Sequence, residues 1–261
     1  RRVLLLGDSV TFGFRMPEEV IFPTLLGQEL KANSDQDWEI INLGVEGYNT
    51  AAELQVFRNT GASLQPETVV LVVNLNDYDE PATVGPRGVL TLNRDEQISA
   101  WSPAHASEFY LLLRWLVRTG GSVWFGEPAL APPPEAKAAP FEALDLYVSA
   151  LRKAYWRNPS DDRMLAMREA LRHLKQETEA EGIRLLIVIV PDGDQIGPAA
   201  PDLAPQIRLA SFCREENLDC LDLHPLFAAS PTPNLFMDIM HPNTAGHALI
   251  AKAISHQLVA P

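Results

Sequence analysis

The chain has 261 residues, 46% hydrophobic and 21% charged, which fits one large α/β domain with or without an insertion and excludes a disordered acidic chain or a fibre. Its formal net charge of −13 argues against nucleic acid or an anionic membrane surface as the main partner, because phosphate contacts need clustered Lys and Arg. No apolar run approaches the roughly 20 residues that cross a bilayer; the longest, Leu185–Val190, is strand-sized.

The first apolar run, Val3–Leu6, is continuous rather than alternating, as a strand buried on both faces requires. Phe22–Asn33 then places Leu25, Leu26 and Leu30 on a helical spacing. Trp38–Leu43 reads as a shorter, mixed strand, Thr50–Gly61 as a helix and Thr68–Val73 as a third strand. Between Tyr78 and Pro140 the alternation breaks. This stretch holds Trp101, Trp115 and Trp124, offers an apolar helix at Glu108–Arg118, and closes on the Pro-rich Glu127–Pro140. A structureless loop of that length is rare in a compact domain, so an insertion at about 78–140, within a single domain spanning 1–261, is expected to fold over the sheet edge. It is either an irregular surface excursion or a lid or pocket wall.

Beyond it Met164, Met167, Leu171 and Leu174 step by 3, 4 and 3, one face of a helix ending near Gly182. Ile183–Val190 and Asn217–Leu223 are the remaining strands, and Asn243 supplies an N-cap for a last helix reaching about Gln257. Alternation of continuous apolar strands with helices means a parallel sheet covered on both faces. Chemistry in such sheets sits at the carboxyl ends of the strands.

Four segments carry candidate chemistry. Gly7-Asp8-Ser9-Val10-Thr11-Phe12-Gly13 follows the first strand, where a Ser flanked by Gly can expose its hydroxyl and its backbone N–H to the same space, as an acyl-transfer nucleophile needs. Asn42–Thr50 follows the second strand with Gly44 and Gly47, which let backbone N–H groups approach a ligand. Asn74-Leu75-Asn76-Asp77 ends the third strand, with Asn76 offering an amide donor to a developing anion. Asp238-Ile239-Met240-His241-Pro242 precedes the last helix; its imidazole can take a serine proton while the carboxylate three residues earlier fixes the tautomer. Each segment alone also reads as ordinary turn chemistry, since Gly, Asn and Asp are the usual turn residues.

Together and in this order, the four resemble the blocks of the SGNH (GDSL-like) hydrolase family: Ser9 in the GDS block, Gly47, Asn76 with Asp77, and Asp238 with His241 in the terminal DxxH block. The resemblance implies a flavodoxin-like three-layer α/β/α sandwich with a five-stranded parallel sheet. It also implies a serine ester hydrolase with Ser9 as nucleophile, His241 as base and Asp238 as orienting acid. The oxyanion would be held by the N–H of Ser9, the N–H of Gly47 and the side chain of Asn76, with Gly47 preferred to Gly44 on its spacing from Asn42. Asp8 is expected to brace the turn, with Asp77 as a second supporting carboxyl. The sequence departs from the family at Asn74, where Gly is usual; a side chain there narrows the pocket or adds a polar contact. Val10 replaces the Leu of the family's name.

Other signals are set aside. Asp192-Gly193-Asp194 lacks the full ligand series of a calcium loop and reads as a turn after Pro191, so no metal is expected. Asp77, Asp79 and Glu80 form an acidic cluster that either shapes the pocket's field or is a solvated loop. His105, His173, His224, His247 and His256 have no second Asp-x-x-His partner, and His247 reads as structural. No phosphate loop or dinucleotide fingerprint is present, so no cofactor is expected. Cys213 and Cys220 are too few for a disulfide scaffold, and their pairing is left open. The expected partner is a small-molecule, lipid or acetylated-sugar ester. Two alternatives stand beside hydrolysis: an O-acetyltransferase using the same triad, and a non-catalytic carbohydrate-binding module on the same fold. A chain opening at Arg1 on a strand reads as a mature or trimmed domain, and the resemblance points to a bacterial, extracytoplasmic setting.

Overall fold

The computed structural model describes residues 1–77, 82–84, 90–92, 162–197 and 201–259. In chain order its elements begin with β1 (Arg2–Leu6), α1 (Ser9–Phe12), α2 (Phe22–Asn33), β2 (Glu39–Asn42), α3 (Thr50–Val56), β3 (Thr68–Val73) and the short pair β4 (Ala82–Val84) and β5 (Leu90–Leu92). They continue with α4 (Asp162–Ala180), β6 (Arg184–Ile189), α5 (Ala204–Glu215), β7 (Asp219–Asp222), α6 (His224–Ala228) and α7 (Thr244–Val259). Five strands form one parallel sheet in the order β2-β1-β3-β6-β7, the flavodoxin-like order expected, while β4 and β5 form a separate antiparallel pair following β3.

Successive strand residues point to opposite faces, so each continuous apolar run feeds two cores. Leu4, Leu6, Leu71, Ile187 and Ile189 pack with Phe57, Met167, Leu171 and Phe212 on one face. Val3, Leu5, Val70, Val72 and Val188 pack with Phe22, Leu26, Ile250 and Ile254 on the other. All six residues of β3 are buried, as its central position demands. The 3-4-3 stripe of α4 is the buried one: Met164, Met167, Leu171 and Leu174 are each at most 3% exposed.

Helix α3 ends at Val56 and the chain runs on through a π-helical turn, Phe57–Gly61, so the expected helix is two local geometries end to end. Cys213, at the end of α5, and Cys220, on β7, are joined by a disulfide. Within the stretch expected to be an insertion the described residues are those of the β4–β5 pair; Glu108–Arg118, Trp101, Trp115, Trp124 and the Pro-rich 127–140 lie outside the described residues. Among the described residues no helix is long and apolar enough to cross a membrane.

The order of strands reverses between β1 and β3. That reversal opens a crevice at their carboxyl ends, where β1 ends at Leu6 beside Leu71 and β3 runs on beside β6 to Val73.

Candidate active site

Ser9 is the first residue of α1, directly after β1, and its place follows from three local constraints. Gly7 has a φ of +152°, and a Cβ there would lie 2.2 Å from Thr11 Oγ1, so only glycine fits the turn. The Asp8 side chain caps α1 by accepting the Val10 N–H at 2.9 Å. Gly13, with a φ of +86°, ends the helix in the left-handed conformation. These constraints hold Ser9 at the crevice, 7% exposed.

His241 arrives from the far end of the sequence on the loop between α6 and α7. That loop is closed by its own backbone: Met237 N–H donates to the His241 carbonyl at 2.8 Å, and Asn243 N–H to the Leu235 carbonyl at 2.9 Å. Asn243 then caps α7, its Oδ1 accepting the N–H groups of Ala245 and Gly246. The result is a continuous chain of contacts. Ser9 Oγ lies 3.0 Å from His241 Nε2, and His241 Nδ1 lies 2.7 Å from Asp238 Oδ2. Asp238 Oδ1 also accepts the N–H groups of Met240 and His241 at 3.0 and 2.8 Å. Burial alone would raise the Asp238 pKa, but the hydrogen bond from the His241 side chain, then these two N–H groups, hold it down at about 2. Such a group stays a carboxylate wherever the imidazole is needed as a base.

A second network lies on the other side of Ser9. Asp8 Oδ1 accepts from Asn74 Nδ2 at 3.0 Å, and Asp8 Oδ2 accepts from Asn76 Nδ2 at 3.0 Å, with Ser9 Oγ 3.4 Å away. Asp77 Oδ2 accepts the Asn74 N–H at 2.8 Å, and the Asp77 carbonyl accepts the Thr50 N–H at 3.4 Å. Asn76 thus spends one of its two amide hydrogens on Asp8. The residue at position 74 turns inward, 2% exposed, so the departure from Gly adds a polar contact to Asp8.

The two glycines of the second segment separate by geometry. A Cβ on Gly44 would lie 2.6–2.8 Å from Thr11 and Phe12, so Gly44 is there to let β2's exit loop pack on α1. Gly47 has a φ of +76° and open space where a Cβ would stand. Only Gly47 therefore has room beside it for a ligand.

Three features of the site carry little or no signal in the sequence. The Phe14 ring lies against the His241 imidazole, centroids 4.6 Å apart, with the Arg15 guanidinium 4.7 Å from the Phe14 ring centre. Gly193 donates its N–H to the Ile239 carbonyl at 2.6 Å and leaves little room for a side chain, a Cβ there lying 3.2 Å from Phe236 and 3.3 Å from the Asp238 and Ile239 carbonyls. The Asp192–Gln195 turn, with its reciprocal capping box, is a buttress for the Asp238–His241 loop. The third feature is Glu53, an acid 1% exposed on α3. No cluster of three metal-ligating side chains occurs among the described residues.

His247 stands apart from the chemistry. It is buried, its Nδ1 accepts the Phe22 N–H at 3.2 Å, and burial, then His241, lowers its pKa to about 4. It ties α7 to α2. Asp79, Glu80 and His105 lie outside the described residues.

The family model for the GDSL-like Lipase/Acylhydrolase family matches residues 5–249. Among solved structures, the acetyl xylan esterase AlAXEase is similar at 16% identity with a TM-score of 0.57, over 99% of this chain and 100% of that one. Axe2, an acetylxylan esterase from Geobacillus stearothermophilus, is similar at 14% identity and a TM-score of 0.56, over 99% of this chain and 94% of that one. The lipase/acylhydrolase from Enterococcus faecalis is similar at 15% identity and a TM-score of 0.56, over 99% of this chain and 95% of that one. At such identities the likeness is one of fold. No curated protein matches the chain.

Proposed function

The chain belongs to the GDSL-like lipase/acylhydrolase family and is a carboxylic ester hydrolase, and on that premise we propose that it works through a Ser9 acyl-enzyme with His241 and Asp238 as base and orienting acid. The observation that carries this reading is the unbroken line from Ser9 Oγ through His241 to Asp238, with a step of 3.0 Å between residues 232 apart in sequence and one of 2.7 Å between residues three apart. A hydroxyl, an imidazole and a carboxylate in that sequence have the arrangement that activates a serine.

In the proposed reaction Ser9 Oγ attacks the ester carbonyl carbon while its proton passes to His241 Nε2. His241 Nδ1–H meanwhile donates to Asp238, which stabilises the imidazolium. The negative charge formed on the carbonyl oxygen is met by the N–H of Ser9, the N–H of Gly47 and the free amide hydrogen of Asn76. Collapse breaks the ester C–O bond, and the departing alcohol takes the proton from Nε2. Water then repeats the sequence on the acyl-serine, releasing the acid. Asp8 does not enter proton transfer in this scheme; it orients Asn76 and caps α1.

For the substrate we propose an ester of a short acyl group on a sugar or other polar alcohol. Two of the similar solved structures are acetyl xylan esterases, and this supports the choice over a long-chain lipid. The test is hydrolysis across a panel from acetyl to long-chain esters and acetylated oligosaccharides, with wild type and Ser9→Ala side by side. Turnover concentrated on acetyl esters and absent from folded Ser9→Ala is expected. Turnover retained by Ser9→Ala contradicts the nucleophile, and preference for long chains contradicts the substrate class.

A further inference from the structure

Two buried polar groups that both neighbour Asp8 lack partners in complementary ways. Glu53 is 1% exposed, and neither of its carboxyl oxygens has a hydrogen-bond or ion-pair partner among the described residues. Asn76 Oδ1 is likewise buried with no donor. Leaving either group unsatisfied costs about 1–3 kcal/mol, and leaving Glu53 ionised without a cation costs more.

Asp8 joins the two. Asn76 Nδ2 donates to Asp8 Oδ2 at 3.0 Å, while burial first, and the nearby Asp8 second, hold the Glu53 pKa well above the ordinary range. The backbone keeps the same groups together, since Thr50, one turn before Glu53 on α3, donates its N–H to the Asp77 carbonyl next to Asn76. Asp8 accepts three donors, from Val10, Asn74 and Asn76, and Glu53 none, so of the two acids it is Glu53 that its surroundings push toward the protonated form. A protonated carboxyl is a donor, and Asn76 Oδ1 is an acceptor that lacks one.

We propose that Glu53 is a positioning residue: as a neutral carboxylic acid it donates its O–H to Asn76 Oδ1, directly or through one buried water, and locks the amide with Nδ2 facing Asp8 and the oxyanion. The inference rests on the reading of Asn76 as an oxyanion donor. Two consequences make the neutral acid useful there. The amide is held at both ends, by Asp8 through Nδ2 and by Glu53 through Oδ1, so it cannot turn its oxygen toward the developing negative charge. A second ionised carboxylate is also kept away from that charge, where it would oppose the transition state.

Three variants and one spectrum test this. Glu53→Met removes the acid and fills its volume. It is expected to melt at or above the wild-type temperature, while kcat falls about 10- to 100-fold with KM nearly unchanged. Glu53→Gln, which keeps a donor, should recover most of that loss. In an Asn76→Ala background Glu53→Met should cost nothing further. Infrared difference spectra at neutral pH should show a protonated carboxylic-acid carbonyl band in wild type that Glu53→Gln lacks and that Asn76→Ala shifts. Folded Glu53→Met with wild-type kcat, additive losses in the double variant, or no such band would each overturn the proposal. If the wild type turned over no ester at all, the acyl-enzyme reading would fall, while the band and its shift in Asn76→Ala would still decide whether Glu53 donates to Asn76.

Discussion

The two loops that meet at the site are built on different principles. The serine turn, Gly7–Gly13, is set by sterics: it leaves an interior strand, has two glycines at positive φ, and is packed so closely that a Cβ on Gly7 has no room. The histidine loop, Leu235–Asn243, leaves no strand and is shaped by hydrogen bonds: two between its own backbone groups, three to the Asp238 carboxylate, and one from Gly193 on a neighbouring turn. Serine is therefore placed by the fold, whereas histidine is placed by a few contacts that can be changed without disturbing the sheet. Activity and stability should then separate at one loop and move together at the other.

The sharpest break of this contrast is Asp238→Asn. It leaves the loop its backbone bonds but favours the wrong His241 tautomer, and kcat should fall about 10³- to 10⁴-fold with the melting temperature little changed. A loss below about tenfold would remove Asp238 from the orienting role.

A matched pair of glycine substitutions comes next. Gly7→Ala places a methyl 2.2 Å from Thr11 Oγ1 at a φ of +152°, so stability and activity should be lost together. Gly193→Ala places one 3.2–3.3 Å from Phe236 and the Asp238 and Ile239 carbonyls, which displaces the histidine loop by a few tenths of an ångström. It should lower kcat by about three- to tenfold with a native melting curve. Equal loss of stability in the two variants would erase the distinction.

The smallest effect lies outside catalysis. His247 titrates at about 4 in the fold against 6.5 as the ordinary value, so the unfolded chain takes up its proton first as pH falls. The stability it supports is fully present above about pH 6.5 and is lost on going down to about pH 4, by at most about 3 kcal/mol. His247→Gln, which keeps an acceptor for the Phe22 N–H, should flatten the decline in melting temperature over that window. An unchanged slope would move the acid sensitivity to other groups.

The legibility of the sequence follows the same contrast. Strands and helices whose burial is continuous or periodic could be read from the chain: Val3–Leu6, Thr68–Val73 and the Met164-to-Leu174 stripe mark their elements because core packing leaves no other pattern. Ser9, Gly47, Asn76, Asp238 and His241 stand out as site candidates only as a set, each being common turn chemistry alone. The contacts of third parties could not. Gly193 sits in a turn that reads as a turn, and its bond to Ile239 exists only in three dimensions. Phe14 and Glu53 look like helix-flanking and helix-surface residues until burial and neighbours are known. Helix α5 is masked by Pro205 near its start and by Ile207, an apolar residue that is 63% exposed and blurs the period.

The central claim is that Ser9 is an activated nucleophile, and it is tested most directly by labelling the folded protein with a fluorophosphonate and mapping the modified peptide by mass. One adduct is expected, on Ser9, formed quickly in wild type, slowly in Asp238→Asn and not at all in Ser9→Ala. Folded wild-type protein that takes no label, or takes it on another residue, would contradict it.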